Sequence, residues 1–248
     1  MAIPSPLYRA PFLMSNIVMG HIAGRSPNPT PDTEEQKRFD VDRNRELLTA
    51  VTSWYFPTLT FMIHVFNICE LYTTFASAYP SVRSRWLLSI LLPSPSKIIP
   101  LASHLTVTPL FIFGALLAAS GACLRLACYR HLGRHFTFEL ALYKDHKLVT
   151  DGPYRFVRHP SYLGSWCYFI GLLICQFGAG SWWAEAGLWA TQSGRLVGLV
   201  WVANVVFVLV SLAVVRVPKE DRVLREEFGK EWVEWEKRTP YKLFPGIF

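Results

Sequence analysis

Apolar residues along this chain of 248 residues gather in long unbroken runs, and that pattern predicts the architecture before any single residue is considered. Leu196 to Val215 reads "LVGLVWVANVVFVLVSLAVV", interrupted only by Asn204 and Ser211. Charge is sparse elsewhere too: Glu70 stands alone between Glu46 and Arg83, nothing is charged between Lys97 and Arg125, and Glu185 stands alone between Arg158 and Arg195. A helix needs about 20 apolar residues to cross a bilayer. The runs near 47–70, 105–125, 160–178 and 196–215 therefore predict four crossings. One such run could be the central helix of a soluble protein; several in a chain this short define an integral membrane protein. The expected fold is all-α, a multi-pass transmembrane helical bundle of four to six membrane helices.

Weaker segments add detail. Leu7 to Ala23 holds Arg9 and His21, so it either crosses or lies in the interface. Pro4, Pro6 and Pro11 interrupt the apolar core that a cleaved signal peptide would need. "WLLSILLP" (86–93) is too short to cross alone, and "SWWAEAGLWA" (181–190), with three tryptophans near Glu185, reads as an interfacial segment. The tail, "RVPKEDRVLREEFGKEWVEWEKRTPYKLFPGIF", predicts a cytosolic amphipathic helix. Val223, Leu224, Phe228, Trp232 and Trp235 share its broad apolar face, and Pro240 helps to end it.

Charge sets the orientation. The net charge of +7 is spread over loops beside the spans, which points away from nucleic acid as a partner. Residues 125–159 hold seven Lys or Arg against three acids. If 160–178 and 196–215 form a hairpin, that loop and the tail share one side, and the positive-inside rule makes it the cytosolic side. The 79–104 connection then faces the opposite compartment despite Arg83, Arg85 and Lys97. Residues 25–46 and 93–97 are polar, proline-bearing connections, and no internal repeat is present. The chain divides in sequence into N-terminal membrane helices, 1–130, and a C-terminal region, 131–248, where polar groups concentrate. Cys69, Cys123, Cys128, Cys167 and Cys175 lack the spacing of a zinc site and read as buried, inert thiols.

Three clusters of polar and aromatic groups fall on the cytosolic side: "ELALYKDHKLVTDGPY", "RHPSY" and "RVPKE". Each has an ordinary explanation. His159 and Pro160 can start a helix, Arg155 and Arg158 can anchor the membrane surface, and Arg216 and Glu220, four apart, can pair along one helix face. Together they suggest a site with anionic and cationic groups at the membrane boundary. No glycine-rich nucleotide loop and no nucleophile with an adjacent base accompanies them.

"HKLVTDGPYRFVRHPSYLG", followed after a hydrophobic hairpin by "RVPKEDRVLREEFGKEWVEWEKRTP", resembles the isoprenylcysteine carboxyl methyltransferases. The resemblance extends from about Glu139 to the end of the sequence. It implies S-adenosylmethionine as cofactor, and as substrate the C-terminal carboxylate of a prenylated cysteine in CaaX-type proteins after proteolysis. It places the enzyme in the endoplasmic reticulum membrane, with the active site facing the cytosol and membrane lipid around it. By that resemblance Glu139, His146, Lys147, Leu148, Val149, Tyr154, His159, Pro160, Ser161, Tyr162 and Glu220 hold the cofactor. Arg216 binds the substrate and carries the catalytic role. Glu139 falls where members often have glutamine, and the hairpin is longer than in many members by the Trp-rich stretch. "RHPSY" alone also fits phospholipid N-methyltransferases and sterol reductases; "RVPKE" with "FGKEW" narrows the match. A substrate carboxylate is already ionised at neutral pH, so no general base is expected. An amine substrate would need deprotonation and would have little use for Arg216. A reductase using NADPH would need a phosphate-binding arginine cluster, for which only Arg155 and Arg158 stand ready. A membrane adaptor would use the same groups only as anchors.

Overall fold

The computed structural model describes residues 6–29, 45–79, 81–93, 104–138 and 147–248. Every regular element among them is helical, as expected from the sequence. A 3₁₀ turn, Pro6–Arg9, leads into α1 (Ala10–Ala23). Then come α2 (Arg45–Ala78), α3 (Val82–Leu91), α4 (Pro109–Leu132), α5 (Pro160–Phe177), the short α6 (Trp182–Glu185) and α7 (Gln192–Ser211). A π-helical turn, Leu212–Arg216, joins α7 to α8 (Val217–Phe228), and α9 (Lys230–Arg238) follows.

Among the described residues, four stretches are long and apolar enough to cross a membrane: Pro57–Ala78, Pro109–His135, Pro160–Glu185 and Gln192–Phe228. The first overlaps the expected 47–70 from Pro57 to Glu70 and runs on to Ala78. The last is 37 residues long, about 55 Å at 1.5 Å per residue and more than a bilayer requires. Its apolar part ends at Val215. Helix α1, at 14 residues, is about 21 Å long and too short to cross alone.

The chain packs as two compact units, each drawn from three segments: 1–21, 60–120 and 167–207 in one; 22–59, 121–166 and 208–248 in the other. In the first unit, glycines bring α4 and α5 close. A Cβ on Gly114 would stand 2.7 Å from the Ile174 side chain and 2.9 Å from the Gly171 carbonyl oxygen. Small residues allow such approaches between membrane helices. Trp182 and Trp183 of the Trp-rich stretch are buried here. Trp183 lies over Phe66 at 5.2 Å between ring centres and edge-on to Phe177 at 5.4 Å, and Trp182 donates to the Leu91 carbonyl at 3.3 Å.

The same unit encloses an ion pair. Arg9 is fully buried and Glu70 is 2% exposed. Arg9 Nε and Nη2 donate to Glu70 Oε1 at 2.9 and 2.5 Å. Its other donors reach the Thr106 and Cys175 carbonyls at 2.8 and 3.2 Å, and its guanidinium lies 3.7 Å from the Phe111 ring centre. Arg9, one of the residues that weakened the reading of 7–23 as an apolar run, thus pairs with Glu70, the one charge within 47–70.

In the second unit the tail forms two helices rather than one. It breaks at Gly229, whose φ of 50° and ψ of −112° suit a residue without a side chain. The expected apolar face is nevertheless kept. Trp232 and Trp235 are buried with Cys128, Tyr129, Phe136 and Tyr154, while Leu224 and Phe228 pack at the edge of that cluster. Burial of the thiols is uneven: Cys128 and Cys175 are buried, whereas Cys123 is exposed on its apolar helix.

Candidate active site

The segment that carries the family resemblance lies in the second unit. Lys147 to Thr150 has no regular structure; Lys147 is exposed, while Leu148 and Val149 pack against the aromatic cluster of the tail. Gly152 follows at φ +55°, and a Cβ there would collide with the His131 ring, so only glycine fits. A 3₁₀ turn, Gly152–Arg155, buries Tyr154, whose carbonyl accepts from Trp235 Nε1 at 3.3 Å. Burial, reinforced by Cys128 and Glu220, pushes the Tyr154 phenol well above its usual range. Tyr154 is therefore a neutral hydroxyl at physiological pH.

Pro160 begins α5, where a missing N–H costs nothing. The His159 carbonyl accepts from the Tyr162 and Leu163 amides at 3.1 and 3.2 Å. Its side chain is thus free to turn elsewhere: His159 Nε2 lies 2.8 Å from Asp221 Oδ1, and Nδ1 lies 3.8 Å from Glu220 Oε2. The His159 ring stacks on Tyr162 at 5.8 Å. The Tyr162 hydroxyl donates to Glu220 Oε2 at 2.7 Å and accepts from Arg216 Nε at 3.3 Å. Arg216 Nη2 also donates to the Phe138 carbonyl. Where a direct pair along one helix face was the simplest expectation, the Tyr162 hydroxyl bridges Arg216 and Glu220.

This alignment depends on the π turn. Inward-facing residues of α7 fall at Gly194, Gly198, Trp201, Val205 and Val208, a spacing of three to four that places them on one face. A π turn adds one residue to that count. The next inward positions become Arg216, Val217, Glu220 and Asp221, of which Val217 and Asp221 are buried and Arg216 and Glu220 half-buried, while Val214 and Val215 are 67% and 54% exposed.

His159, Tyr162, Arg216 and Glu220 therefore form one network. Ser161 is engaged elsewhere: its carbonyl and hydroxyl accept from Arg125 Nη1 at 3.2 and 3.3 Å. Glu139 and His146 lie outside the described residues. Two participants escaped sequence reasoning, the Phe138 carbonyl and Asp221. A signal for Asp221 existed, since Arg158, entering an apolar environment, needs a counter-charge, and "KED" offers two acids about 100° apart on a helix. Arg158 is correspondingly not a surface anchor; it is 3% exposed and committed to Asp221, while Arg155 is exposed. The pair thus gives no support to the phosphate-binding cluster of a reductase.

These features define a helical, multi-pass membrane protein with an arginine, a carboxylate and a histidine–tyrosine stack at one end of its last long helices. In sequence, the model of the isoprenylcysteine carboxyl methyltransferase (ICMT) family matches residues 113–184, in agreement with the resemblance carried by the motifs. The matched range includes the 147–162 segment and stops before Arg216. The chain is 29% identical over 132 residues to protein-S-isoprenylcysteine O-methyltransferase B of Arabidopsis thaliana, covering 52% of this chain and 56% of the relative. It is 30% identical over 141 residues to the Homo sapiens protein-S-isoprenylcysteine O-methyltransferase, covering 55% and 42%. The Schizosaccharomyces pombe protein of the same name is 32% identical over 124 residues, covering 48% and 43%. The chain thus spans about half the length of the curated relatives it matches.

Proposed function

We propose that the protein uses S-adenosylmethionine to esterify the C-terminal carboxylate of a prenylated cysteine in CaaX-processed proteins. The membrane would be that of the endoplasmic reticulum, with the site on the cytosolic side. The observation that carries this reading is the line Arg216–Tyr162–Glu220 beside His159, which sets a cation and an anion at opposite ends of one hydroxyl. The donor set fits the cofactor. Glu220 keeps 28% of its side chain exposed, enough to receive an ammonium or sulfonium group, and the stacked His159 and Tyr162 rings offer π faces that suit a cation. Leu148 and Val149 offer an apolar wall, with Lys147 and Tyr154 close in sequence. When bound, S-adenosylmethionine supplies an electrophilic methyl group.

The residues then have binding and orientation to do. Arg216 holds the substrate carboxylate through its planar fork, with one edge already fixed by Tyr162 and Phe138. The carboxylate needs no deprotonation, so no base has to move a proton. Orientation of the reacting atoms can amount to about 7–11 kcal/mol of the barrier. The apolar helices at this end offer the prenyl chain a lipid-like path, and exclusion of water favours a reaction in which opposite charges fade.

The test is purified protein with labelled S-adenosylmethionine and either a farnesylcysteine analogue or phosphatidylethanolamine. Label in the prenylcysteine ester is the expected result. Label in the phospholipid alone overturns the proposal in favour of an N-methyltransferase, and NADPH binding without methyl transfer favours a reductase. Arg216→Ala should lower kcat/KM on the prenylcysteine by about one to two decades, corresponding to about 1.5–3 kcal/mol for a charge-assisted contact. Arg216→Lys should fall between, because it keeps charge but loses the fork. Wild-type rates in both variants would reject the carboxylate clamp. Glu220→Gln should weaken S-adenosylmethionine binding by about tenfold in calorimetry while leaving the helical content intact. Unchanged affinity would remove Glu220 from the cofactor site.

A further inference from the structure

Asp221 lies next to the proposed cofactor residue Glu220 but faces a different way, and its neighbours are unusual for a helix at a membrane surface. It is 8% exposed. Arg158 grips it with both arms of the guanidinium, Nε to Oδ1 at 3.3 Å and Nη2 to Oδ2 at 3.1 Å. His159 Nε2 reaches the same Oδ1 at 2.8 Å. A carboxylate can only accept, so Nε2 carries a proton in this arrangement, and Nδ1 is turned toward Glu220.

Arg158 does more than neutralise Asp221. Its remaining arm, Nη1, donates to the Thr239 and Pro240 carbonyls at 3.0 and 2.9 Å. The backbone continues the attachment: the Arg158 amide donates to the Tyr241 carbonyl and the His159 amide to the Lys242 carbonyl, both at 2.9 Å. The Thr239 hydroxyl reaches the Arg155 carbonyl at 3.2 Å, Leu243 is fully buried, and the Arg158 guanidinium lies 5.6 Å from the Trp232 ring centre. The 239–242 strand is thus tied along the residues that place His159.

We infer that Asp221 is a positioning residue: with Arg158 it clamps the 239–242 strand against the 155–159 segment and fixes the plane of the His159 ring for the cofactor. The inference rests on the function proposed above. It adds that the grip on the cofactor depends on a carboxylate that does not touch it, through a ring held on one side by Asp221 and on the other by Tyr162.

The decisive variant is Asp221→Asn in the full chain, reconstituted in lipid nanodiscs. Its side chain has nearly the same shape, but one acceptor becomes a donor facing either Arg158 or His159. Affinity for S-adenosylmethionine should fall about ten- to hundredfold. Exchange of the Arg158 and His159 amides, followed by mass spectrometry without cofactor, should accelerate. KM for the farnesylcysteine analogue should stay within about twofold, since Arg216 is held by other groups. Asp221→Glu keeps both acceptors and should restore part of the affinity. If exchange accelerates while cofactor affinity stays at the wild-type value, Asp221 merely anchors the strand and the inference is overturned. If affinity falls without faster exchange, the clamp is not the cause and the inference is equally overturned. Should Asp221→Asn not fold, Asp221→Glu decides alone: partial affinity with partial amide protection supports the clamp, and wild-type values for both reject it. A wild-type chain that binds no S-adenosylmethionine overturns the proposed function first, whereas normal wild-type binding with an insensitive Asp221→Asn overturns only the clamp.

Discussion

Insertion of an alanine after Val214 should abolish most of the proposed methyl transfer while leaving a membrane-inserted, helical protein. The π turn, Leu212–Arg216, holds one residue more than an α-helix would. A second extra residue has no such turn to absorb it and changes the register of everything beyond by about 100°. Arg216 and Glu220 would then leave the Tyr162 hydroxyl, to which both are now bonded. Losing two charge-assisted contacts at about 1.5–3 kcal/mol each predicts a fall of about two to four decades in kcat/KM. Val214→Ala, at the same 67% exposed position, keeps the residue count and should behave as wild type. Activity retained in the insertion would show that the register set by the turn does not aim these side chains.

The largest effect on stability is expected at Arg9 and Glu70. Removing one member of a buried pair leaves an uncompensated charge and costs about 3–5 kcal/mol. The two single variants should differ. Arg9→Met strands the Glu70 carboxylate and also frees the Thr106 and Cys175 carbonyls. Glu70→Gln leaves Arg9 with both carbonyls, the Phe111 ring and an amide oxygen in place of the carboxylate. Arg9→Met should therefore lower the unfolding midpoint more. Combining Arg9→Met with Glu70→Leu should recover much of the loss, because a well-packed apolar pair replaces two buried charges. Thermal unfolding in detergent measures all three. Additive losses in the double variant would show that the two residues act independently.

The same residues show what the sequence could and could not reveal. The spans were legible because runs of about 20 uncharged residues have few other uses in a short chain. The tail's apolar face was legible from spacing alone, since Trp232 and Trp235 face the cluster whether or not the helix breaks at Gly229. Glu70 looked like a lone charge inside a span because its partner lies 61 residues away. The burial of Trp182 and Trp183 depends on distant groups as well, Phe66 and the Leu91 carbonyl among them. At the site, motif resemblance picked out His159, Tyr162, Arg216 and Glu220, which the structure brings together. It left out Asp221 because nothing in local spacing distinguishes the acid that faces Arg158 from the acid that faces Tyr162.

The attachment of the 239–242 strand also bears on biogenesis. Arg158 must wait for carbonyl partners 81 and 82 residues further along the chain. During synthesis, α5 can enter the membrane with its guanidinium and the 158–159 amides still unsatisfied, and they remain so until the helices after it have been inserted and the strand has folded back. Contacts of such long sequence separation close late. The 155–159 segment should therefore be among the last parts of the nascent protein to become ordered, and an insertion intermediate stalled before Thr239 would expose a basic, aromatic surface to the quality-control machinery of the membrane.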